Sequence, residues 1–296
     1  MPPNVTSIEE YAFEDDEKLE GFYGNLASED HRFLILDGKL VAFAPAGLTV
    51  CSIPEGVKEI GTGAISYDEY ESELAELKIP DSVTSVEEGA ISRLPNLKAI
   101  YSQFATADKR CLIMDGKLLA FAPAGLTTYS IPEGVKEIGE WVFYCYGLTD
   151  ITIPDGVETI GLCAFMSSGL TSVNIPDGVK TIGDYAFESS GLTSVNISDG
   201  VKTIGDGAFY GCGLTTVTIP KSVTSIGYGA FNCKSLESVT VEATTPPTLG
   251  RFAFGYVGDE YNVHKLEIEI NVPKASVDTY KNAKGWEEYA EYIRGM

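Results

Sequence analysis

The chain has 296 residues, of which 44% are hydrophobic and 22% are charged, and its formal net charge is −22 at pH 7. This composition can support a large core and excludes a disordered chain, and no apolar run reaches the roughly 18 residues of a membrane-spanning helix. The acidic excess repels a phosphate backbone and no basic stripe offsets it, so nucleic acid is not an expected partner.

The chain begins part-way through a repeated pattern. Residues 2–13 align with residues 219–231, but the strand pattern LxxVxI that precedes the later copy is missing from the earlier one. A coil without its strand leaves the edge of the next coil exposed. We therefore expect either that the sequence was cut from a longer protein or that Pro2 and Pro3 begin an N-terminal cap.

A longer duplication follows, in which residues 21–61 reappear at residues 99–139. Each copy contains an Asp-Gly pair between alternating apolar runs, at residues 37–38 and 115–116. Asp-Gly in this setting is a strong signal for a two-residue hairpin turn. The sequence therefore predicts two β-hairpins, carried by coils at about residues 21–47 and 99–125.

From residue 126 to residue 241 the pattern is regular. The segment LTSVNIPDGVKTIGDYAFESSG, residues 170–191, is nearly copied at residues 192–213, and its leucines recur every 22 residues. A period between roughly 20 and 50 residues is typical of a solenoid, whose units stack on their neighbours. The sequence thus predicts a β-rich repeat solenoid, a right-handed stack of coils of about 22 residues.

Each coil carries two predicted strands. In the segment LTSVNIP the side chains of Val173 and Ile175 point inward, and Pro176 ends the strand because proline cannot donate to the ladder. A DGV turn follows, then a short second strand, VKTIG. Ala186 and Phe187 are predicted to pack into the core, so that each column places like residues on like.

The C-terminal end departs from the repeat. Residues 265–273 alternate as a final strand, and the segment after them is predicted to be helical. An apolar stripe at helical spacing is expected to cover the end of the core; it consists of Trp286, Tyr289, Ala290 and Ile293. We expect a solenoid at residues 1–272 and a helical cap at residues 273–296.

The repeat LxxVxIPxxVxxIGxxAFxxC resembles the BspA-type leucine-rich repeats of surface proteins from Bacteroidetes and their relatives, as do the insert LILDGKLVAFAPAGLT and the tail VPKASVDTYKNAKGW. The resemblance covers nearly the whole chain. Ile-Pro replaces the Asn/Cys column of other leucine-rich repeats, so no asparagine ladder is expected there. The resemblance implies a surface-exposed or secreted protein, often lipid-anchored, with roles in adhesion or host-protein binding and without catalytic residues. No basic-then-apolar leader follows Met1, so we expect that a secretory signal is either absent or was removed from the sequence.

The six cysteines form no CxxC motif. Parallel strands stack at roughly 4.8 Å, which puts Cys145 and Cys233, four coils apart, beyond disulfide reach. Only Cys212 and Cys233, on adjacent coils, are expected to approach each other. The cysteines are predicted to be buried free thiols that act as small hydrophobic residues.

Catalytic chemistry finds little support in the sequence. His31 and His264 have no catalytic motif around them. Asp155, Asp177 and Asp199 form a column with a spacing of roughly 5 Å, near that of a retaining glycosidase pair. A catalytic pair needs two unlike environments, whereas this column repeats one environment. The column therefore favours turn chemistry, and no catalytic residue is predicted.

Calcium is the remaining alternative for the acidic residues. The DxDxDG loop and the nonapeptide calcium repeat are both missing. The acidic run at residues 14–17 is expected to be a solvated loop. No metal site and no cofactor are predicted.

The outward positions of the strands and one aromatic-rich coil are the candidate binding residues. The polar strand positions could bind an extended protein or glycan, or could hydrogen-bond only to each other. Tyrosine and tryptophan are enriched at binding hot spots. The predicted binding residues are Tyr129, Trp141, Tyr144, Tyr146, Thr152, Asn174, Asn196 and Thr218.

The sequence as a whole favours a non-enzymatic leucine-rich-repeat protein, at the cell surface or secreted, that mediates protein–protein interaction or adhesion. Its expected partner is a host matrix protein or a bacterial surface protein. A carbohydrate-binding surface module is the alternative, motivated by the polar strand face and the aromatic coil.

Overall fold

The computed structural model describes residues 8–9, 12–13, 18–67, 72–144, 146–255 and 268–296. By its internal contacts the chain divides into two compact units. Unit 1 comprises Met1–Leu126 and Gly139–Tyr146, and unit 2 comprises Thr127–Ile138 and Gly147–Met296. Several sequence predictions lie outside the described residues: those for Pro2, Pro3, residues 14–17, Cys145 and His264.

The strands of unit 1 form short parallel columns and two hairpins. They are β1 (Phe33–Leu36), β2 (Lys39–Phe43), β3 (Val50–Ser52), β4 (Glu59–Ile60), β5 (Ile65–Ser66), β6 (Glu76–Lys78), β7 (Ser85–Val86), β8 (Ile91–Ser92), β9 (Ala99–Tyr101), β10 (Cys111–Met114) and β11 (Lys117–Phe121). Neighbouring strands follow the orders β1-β2-β4-β7, β3-β6-β9 and β5-β8.

Both predicted hairpins are confirmed. β1 pairs antiparallel with β2, and β10 pairs antiparallel with β11. The turn residues Asp37 and Gly38 have φ values of 50° and 84°, and Asp115 and Gly116 have 50° and 79°. Two successive positive φ values define the type I′ turn, which suits the twist of a two-residue hairpin and favours Asp-Gly.

The first hairpin is part of the solenoid wall. Its return strand β2 pairs in parallel with β4, with Lys39 opposite Glu59 and Leu40 opposite Ile60. Leu40 and Ile60 are both buried. The return strand therefore takes the place of a coil's second strand, and the outgoing strand β1 adds one antiparallel neighbour beyond it.

The strands of unit 2 repeat with the period of the sequence. They are β12 (Thr128–Ser130), β13 (Glu137–Ile138), β14 (Asp150–Thr152), β15 (Thr159–Ile160), β16 (Ser172–Ile175), β17 (Thr181–Ile182), β18 (Ser194–Ile197), β19 (Thr203–Ile204), β20 (Thr216–Ile219), β21 (Ser225–Ile226), β22 (Ser238–Val241), β23 (Thr248–Leu249), β24 (Glu269–Val272) and β25 (Ile293–Gly295).

Second strands form one continuous parallel column in unit 2, β13-β15-β17-β19-β21-β23. First strands form the separate groups β12-β14, β16-β18 and β20-β22-β24-β25. Strands β16 and β18 pair so that equivalent residues of successive repeats face each other, with Val173 opposite Val195 and Ile175 opposite Ile197. The predicted repeat solenoid is thus confirmed.

A ladder of phenylalanines runs through the core of unit 2. The ring centroids of Phe165 and Phe187 are 5.0 Å apart, those of Phe187 and Phe209 are 5.3 Å apart, and those of Phe209 and Phe231 are 5.1 Å apart. The ring planes are nearly parallel, and all four side chains are fully buried. Aromatic contacts of this kind add about 0.5–1.5 kcal/mol each beyond the burial of area.

Two glycine columns allow neighbouring coils to approach closely. A Cβ on Gly183 would lie 2.8 Å from the carbonyl oxygen of Ile160, and one on Gly205 would lie 2.6 Å from the amide nitrogen of Asp184. In the DG turns, a Cβ on Gly178 or Gly200 would overlap the backbone carbonyl of the preceding coil. Coil spacing therefore requires glycine at positions 183 and 205 of the IG motif and at positions 178 and 200 of the DG turns.

The C-terminal segment is less helical than predicted. Its α-helix, α1, spans only Val277–Lys281, and single 3₁₀ turns occupy Lys274–Ser276 and Glu287–Tyr289. Gly285 adopts a φ of +85°, which interrupts any longer helix. Ile293, predicted to lie on the helix, is instead in β25, which pairs in parallel with β24.

The predicted covering of the core is nonetheless observed. Trp286, Tyr289 and Ile293 are buried, and Ala290 is half-buried. The ring of Phe254, the last of the ladder, lies 5.7 Å from Trp286 and 5.4 Å from Tyr289 between centroids. The indole nitrogen of Trp286 donates to the carbonyl oxygen of Pro247 at 2.8 Å. These two aromatic rings end the ladder.

Replacing Gly200 by alanine tests the spacing argument. The new Cβ overlaps the carbonyl oxygen of Asp177, and overpacking of this kind costs about 1–3 kcal/mol, so Gly200→Ala is expected to lower Tm by several degrees. The matched control is Gly156→Ala, in the same column, where the nearest backbone atom is the carbonyl oxygen of Val135 at 3.4 Å. Equal Tm values for the two variants would contradict the argument.

Candidate binding surfaces

The predicted polar strand positions form an exposed face in unit 2. Thr152, Asn174, Asn196 and Thr218 are all exposed, and each alternates with buried or half-buried residues of its strand. Asn174 lies opposite Asn196 in the β16–β18 register, and the amide of Asn196 donates to the side-chain oxygen of Asn174. This pair therefore hydrogen-bonds to its own kind. We call the exposed residues of β14, β16, β18 and β20 the polar strand face.

Pairing along the polar strand face is interrupted twice, between β14 and β16 and between β18 and β20, because these strands belong to separate sheets. A cleft of about 360 Å³ lies at the second interruption. Val195 on β18 is half-buried there, whereas its counterparts Val173 and Val217 are buried. The polar and charged residues that line the cleft are Ser194, Asn196, Asp199, Thr216, Thr218 and Glu242.

The aspartate column lies at the turns that follow the first strands. Asp155, Asp177 and Asp199 are exposed, and the ammonium group of Lys221 lies 3.3 Å from a carboxylate oxygen of Asp199. Across the described residues, no group of three or more His, Cys, Asp or Glu side chains could hold a metal ion.

The predicted aromatic residues separate into buried and partly exposed positions. In unit 1, Tyr144 and Tyr146 are buried, with exposures of 8% and 3%, and Trp141 is half-buried. The hydroxyl oxygen of Tyr146 accepts the amide of Leu94 at 3.2 Å. In unit 2, Tyr129 is half-buried and lies opposite the buried Ile151 in the strand register. Tyr144 and Tyr146 therefore stabilise the core of unit 1 and present almost no surface to a partner.

Trp141 and Tyr144 hold an arginine of their own unit. The guanidinium carbon of Arg93 lies 4.9 Å from the centroid of each ring, and the two rings meet edge to face at 5.2 Å. A guanidinium within about 6 Å of an aromatic centroid is attracted by the ring's quadrupole. This cation–π site is occupied within the chain itself.

Sequence reasoning missed three exposed tyrosines of unit 2. Tyr185, Tyr210 and Tyr228 have exposures of 39%, 40% and 46%. They follow the second strands of three successive coils, in the segments GDYAF, GAFYG and GYGAF. The sequence signal is a tyrosine at a repeat position outside the inward-facing apolar positions. We call these residues the tyrosine patch.

Glycines bring the tyrosine patch close to the backbone. The ring of Tyr185 lies over Gly207 of the next coil, where a Cβ would be 2.5 Å from a ring carbon. A Cβ on Gly229 would likewise be 3.7 Å from the ring of Tyr210. Tyr228 meets the ring of Phe252 edge to face at 5.7 Å.

Carboxylates surround the tyrosine patch. Asp184 accepts the amide of Asp206 at 2.8 Å, and Asp206 accepts the amide of Tyr228 at 2.6 Å. Burial, together with the charges of Asp206, Glu188 and Asp184, raises the pKa of Tyr185. Burial also raises the pKa of Glu188. The patch therefore combines aromatic rings with local negative charge.

Both adjacent cysteines are buried free thiols, as the sequence predicts. The thiol of Cys212 donates to the carbonyl oxygen of Phe187 at 3.1 Å, and that of Cys233 donates to Phe209 at 3.0 Å. The neighbouring side chain of Cys233 lowers the pKa of Cys212, and that of Cys212, together with burial, raises the pKa of Cys233. The expected approach of these two residues is confirmed.

An ionic network lies beside the first hairpin in unit 1. The ammonium group of Lys39 lies 2.8 Å from Glu59 and 2.5 Å from Glu87, and the amide of Thr62 donates to Glu87 at 2.8 Å. Burial alone would raise the pKa of Glu87, but hydrogen bonds from Lys39 and Thr62 outweigh it and lower the pKa to about 2. At the second hairpin, Lys117 pairs with Glu88 in the same way.

Comparison with known sequences identifies the repeat. Residues 39–165, 113–191 and 159–285 match the BspA type leucine rich repeat region, in six copies. A comparison with curated proteins finds no significant match. No helix in the described part of the chain is long and apolar enough to cross a membrane.

Solved structures share the fold. A leucine-rich repeat protein from Eubacterium ventriosum is 22% identical over 76% of this chain and 70% of its own, with a TM-score of 0.52. The pneumococcal vaccine antigen PcpA is 16% identical over 87% and 68%, with a TM-score of 0.55. A leucine rich cell surface protein from Faecalibacterium prausnitzii is 22% identical over 86% and 90%, but its TM-score of 0.38 carries no structural argument.

The depressed pKa of Glu87 predicts a pH-dependent stability. A carboxylate with a pKa lowered from 4.5 to about 2 stabilises the fold above its ordinary pKa and loses that contribution as the pH falls toward 2. Glu87→Gln is therefore expected to lower Tm at neutral pH, and its deficit should shrink as the pH falls from about 4.5 toward 2. Thermal denaturation across this range measures the effect.

Glu76→Gln is the control in the same unit, since Glu76 lies on β6 outside the network. A Glu87→Gln deficit that stays constant down to pH 2.5 or so would show that ionisation of Glu87 does not stabilise unit 1.

Proposed function

We propose that this chain, which belongs to the BspA-type leucine-rich repeat family, is a non-enzymatic protein that binds another protein through the polar strand face. Leucine-rich repeat proteins generally bind proteins, and their solenoid fold is typically non-catalytic. Location at the cell surface or outside the cell, and a role in adhesion, are part of the proposal because the family resemblance implies them. The proposed partner is a host matrix protein or a bacterial surface protein.

The cleft between β18 and β20 is the observation that carries the proposal. Between the paired strands β16 and β18, the amide of Asn196 donates to the side-chain oxygen of Asn174. At the cleft the pairing of first strands is interrupted, and Asn196 and Thr218 line a cavity of about 360 Å³. This volume falls within the range of roughly 300–1,000 Å³ that is usual for binding pockets. A protruding side chain and its flanking backbone would fit there.

The cleft offers hydrogen bonds of both kinds. Asparagine and threonine side chains both donate and accept, as a peptide group does. Asp199 and Glu242 add acceptors at the rim. An extended segment of a partner could therefore satisfy its peptide groups on the polar strand face while one side chain enters the cleft.

The acidic column supports a binding role over a catalytic one. Asp155, Asp177 and Asp199 occupy equivalent turns of successive coils and are all exposed. Equivalent exposed carboxylates do not separate into an acid and a base, which is what hydrolytic carboxylate pairs require.

A carbohydrate-binding module is the second candidate, and the polar lining of the cleft favours it. Amide, hydroxyl and carboxylate groups at Asn196, Thr218 and Glu242 suit the hydroxyls of a sugar. The two candidates differ in the ligand that the cleft accepts.

The double variant Asn196→Ala/Thr218→Ala tests the proposal. It removes the polar groups on both sides of the cleft, and each is exposed, so Tm should stay within a few degrees of that of the parent. Binding to arrays of host matrix and bacterial surface proteins should weaken about tenfold or more, since each lost hydrogen bond contributes about 0.5–1.5 kcal/mol. Thr152→Ala, on the same face but away from the cleft, is the control.

Three outcomes decide between the candidates. Loss of protein binding in the double variant alone supports the proposal. Binding to a glycan array that is lost in the same variant favours the carbohydrate module. Unchanged binding of the double variant to every protein that the parent binds would overturn the role of the cleft, and an absence of protein and glycan binding by the parent would overturn both.

A further inference from the structure

We propose that the tyrosine patch is a second interaction surface and that it binds an arginine-bearing segment of another polypeptide. The patch follows the second strands of its coils, whereas the polar strand face lies on the first strands. Three features of the described residues support this: an equivalent aromatic site that an arginine of the chain already occupies, the absence of a cation of the chain over Tyr185 and Tyr210, and the surrounding negative charge.

The occupied counterpart is in unit 1. Trp141 and Tyr144 follow Gly139 of the IG motif at the second and fifth positions, and the guanidinium of Arg93 lies 4.9 Å from both rings. In unit 2, Tyr185 stands at the second position after its IG glycine, and Tyr210 stands at the fifth position in the next coil. These two tyrosines thus repeat, one coil apart, the aromatic positions that receive an arginine in unit 1.

A further arginine takes the same role beside the patch. The guanidinium carbon of Arg251 lies 4.9 Å from the ring of Phe252, which occupies the second position after Gly250. Within the described part of the chain, no cation lies over the ring of Tyr185 or Tyr210. At the second position after the glycine, the rings of Trp141 and Phe252 therefore each contact an arginine of the chain. The ring of Tyr185, at the same position, is open to solvent.

The charge around the patch specifies the sign of its ligand. The charged residues of segments 183–190, 205–212, 227–234 and 250–255 are Asp184, Glu188, Asp206, Lys234 and Arg251. The three carboxylates lie on the two coils that carry Tyr185 and Tyr210, and they act together on Tyr185. Cations are attracted both by these carboxylates and by the ring faces.

Arginine fits this arrangement better than lysine. Its guanidinium is planar, stacks on aromatic faces and hydrogen-bonds to carboxylates at the same time, whereas an ammonium is more strongly hydrated. The ring of Tyr185 lies over Gly207, and that of Tyr210 lies near Gly229, so each ring has the backbone of the next coil on one side. A planar group can therefore stack on the exposed part of these rings.

The test measures binding of two labelled peptides that are identical except that one carries arginine where the other carries lysine, each spaced by glycine and serine. Binding is measured by fluorescence anisotropy at about 0.15 M salt, because salt at this concentration screens long-range attraction by the net charge. The arginine peptide is expected to bind more tightly than the lysine peptide.

Each variant introduces the residue that a neighbouring coil carries at the equivalent position. Tyr185→Gly introduces the residue found at the equivalent positions 207 and 229, and Tyr210→Asn introduces the residue found at position 232. Each should weaken binding of the arginine peptide about two- to fivefold, the range expected for an exposed cation–π contact. Tyr23→Asn, at an exposed tyrosine of unit 1, is the aromatic control.

Glu188→Gln tests the carboxylates and should weaken binding of the arginine peptide, whereas Asp177→Asn, in a turn of the same unit, should not. Equal binding of both peptides, with affinity insensitive to the tyrosine variants, would show diffuse attraction to an acidic protein and overturn the proposal. The cleft variants Asn196→Ala/Thr218→Ala should leave peptide binding unchanged, so failure here and failure of the proposed function are separable.

Discussion

The close approach of successive backbones is the constraint on which the fold depends. In unit 2 the second strands pair from β13 to β23, and the segments after them are hydrogen-bonded as well, for example from the amide of Phe187 to the carbonyl of Ala208 at 2.8 Å. Such spacing tolerates no Cβ at Gly183 or Gly205. The same spacing brings the phenylalanine rings to about 5 Å, where they stack. Backbone pairing thus sets the core packing, and glycine permits the pairing.

Features that depend on local chemistry were predictable from the sequence. Asp37-Gly38 needs only two residues with positive φ between apolar runs to define a hairpin, and the repeat period alone placed Val173 and Phe187 in the core. The C-terminal helix is shorter than predicted, because an apolar stripe at helical spacing takes no account of Gly285, whose φ of +85° separates α1 from the stripe. Trp286 and Tyr289 are nevertheless buried as predicted, because the end of the core must be covered whether or not the covering segment is helical.

The binding surfaces were only partly predictable. Strand alternation correctly predicts that Asn196 and Thr218 are exposed. No sequence pattern, however, distinguishes a first strand that pairs with the next coil from one that does not. The cleft between β18 and β20 is therefore seen only in the structure. For two aromatic residues the sequence predicts binding at positions that the structure buries. Tyr144 and Tyr146 were predicted as binding residues because of their type, but their neighbours enclose them. Residue type indicates which side chains can bind, and burial decides which ones are available.

Backbone conformation distinguishes Tyr185 from the other two residues of the tyrosine patch. Tyr185 has a φ of 55°, in the left-handed region where Gly207 and Gly229 have 58° and 59°. A non-glycine residue there costs on the order of 1 kcal/mol, and the adjacent coils show that glycine satisfies the same position. Trp141, which holds Arg93, has a φ of 62° and bears the same cost. Cys163, at the same position one coil before Tyr185, also has a positive φ of 52°, so the repeat holds this position in the left-handed region whichever residue occupies it. This backbone places the ring of Tyr185 over Gly207 and leaves the side chain 39% exposed, which makes its free face available to a cation brought by a partner.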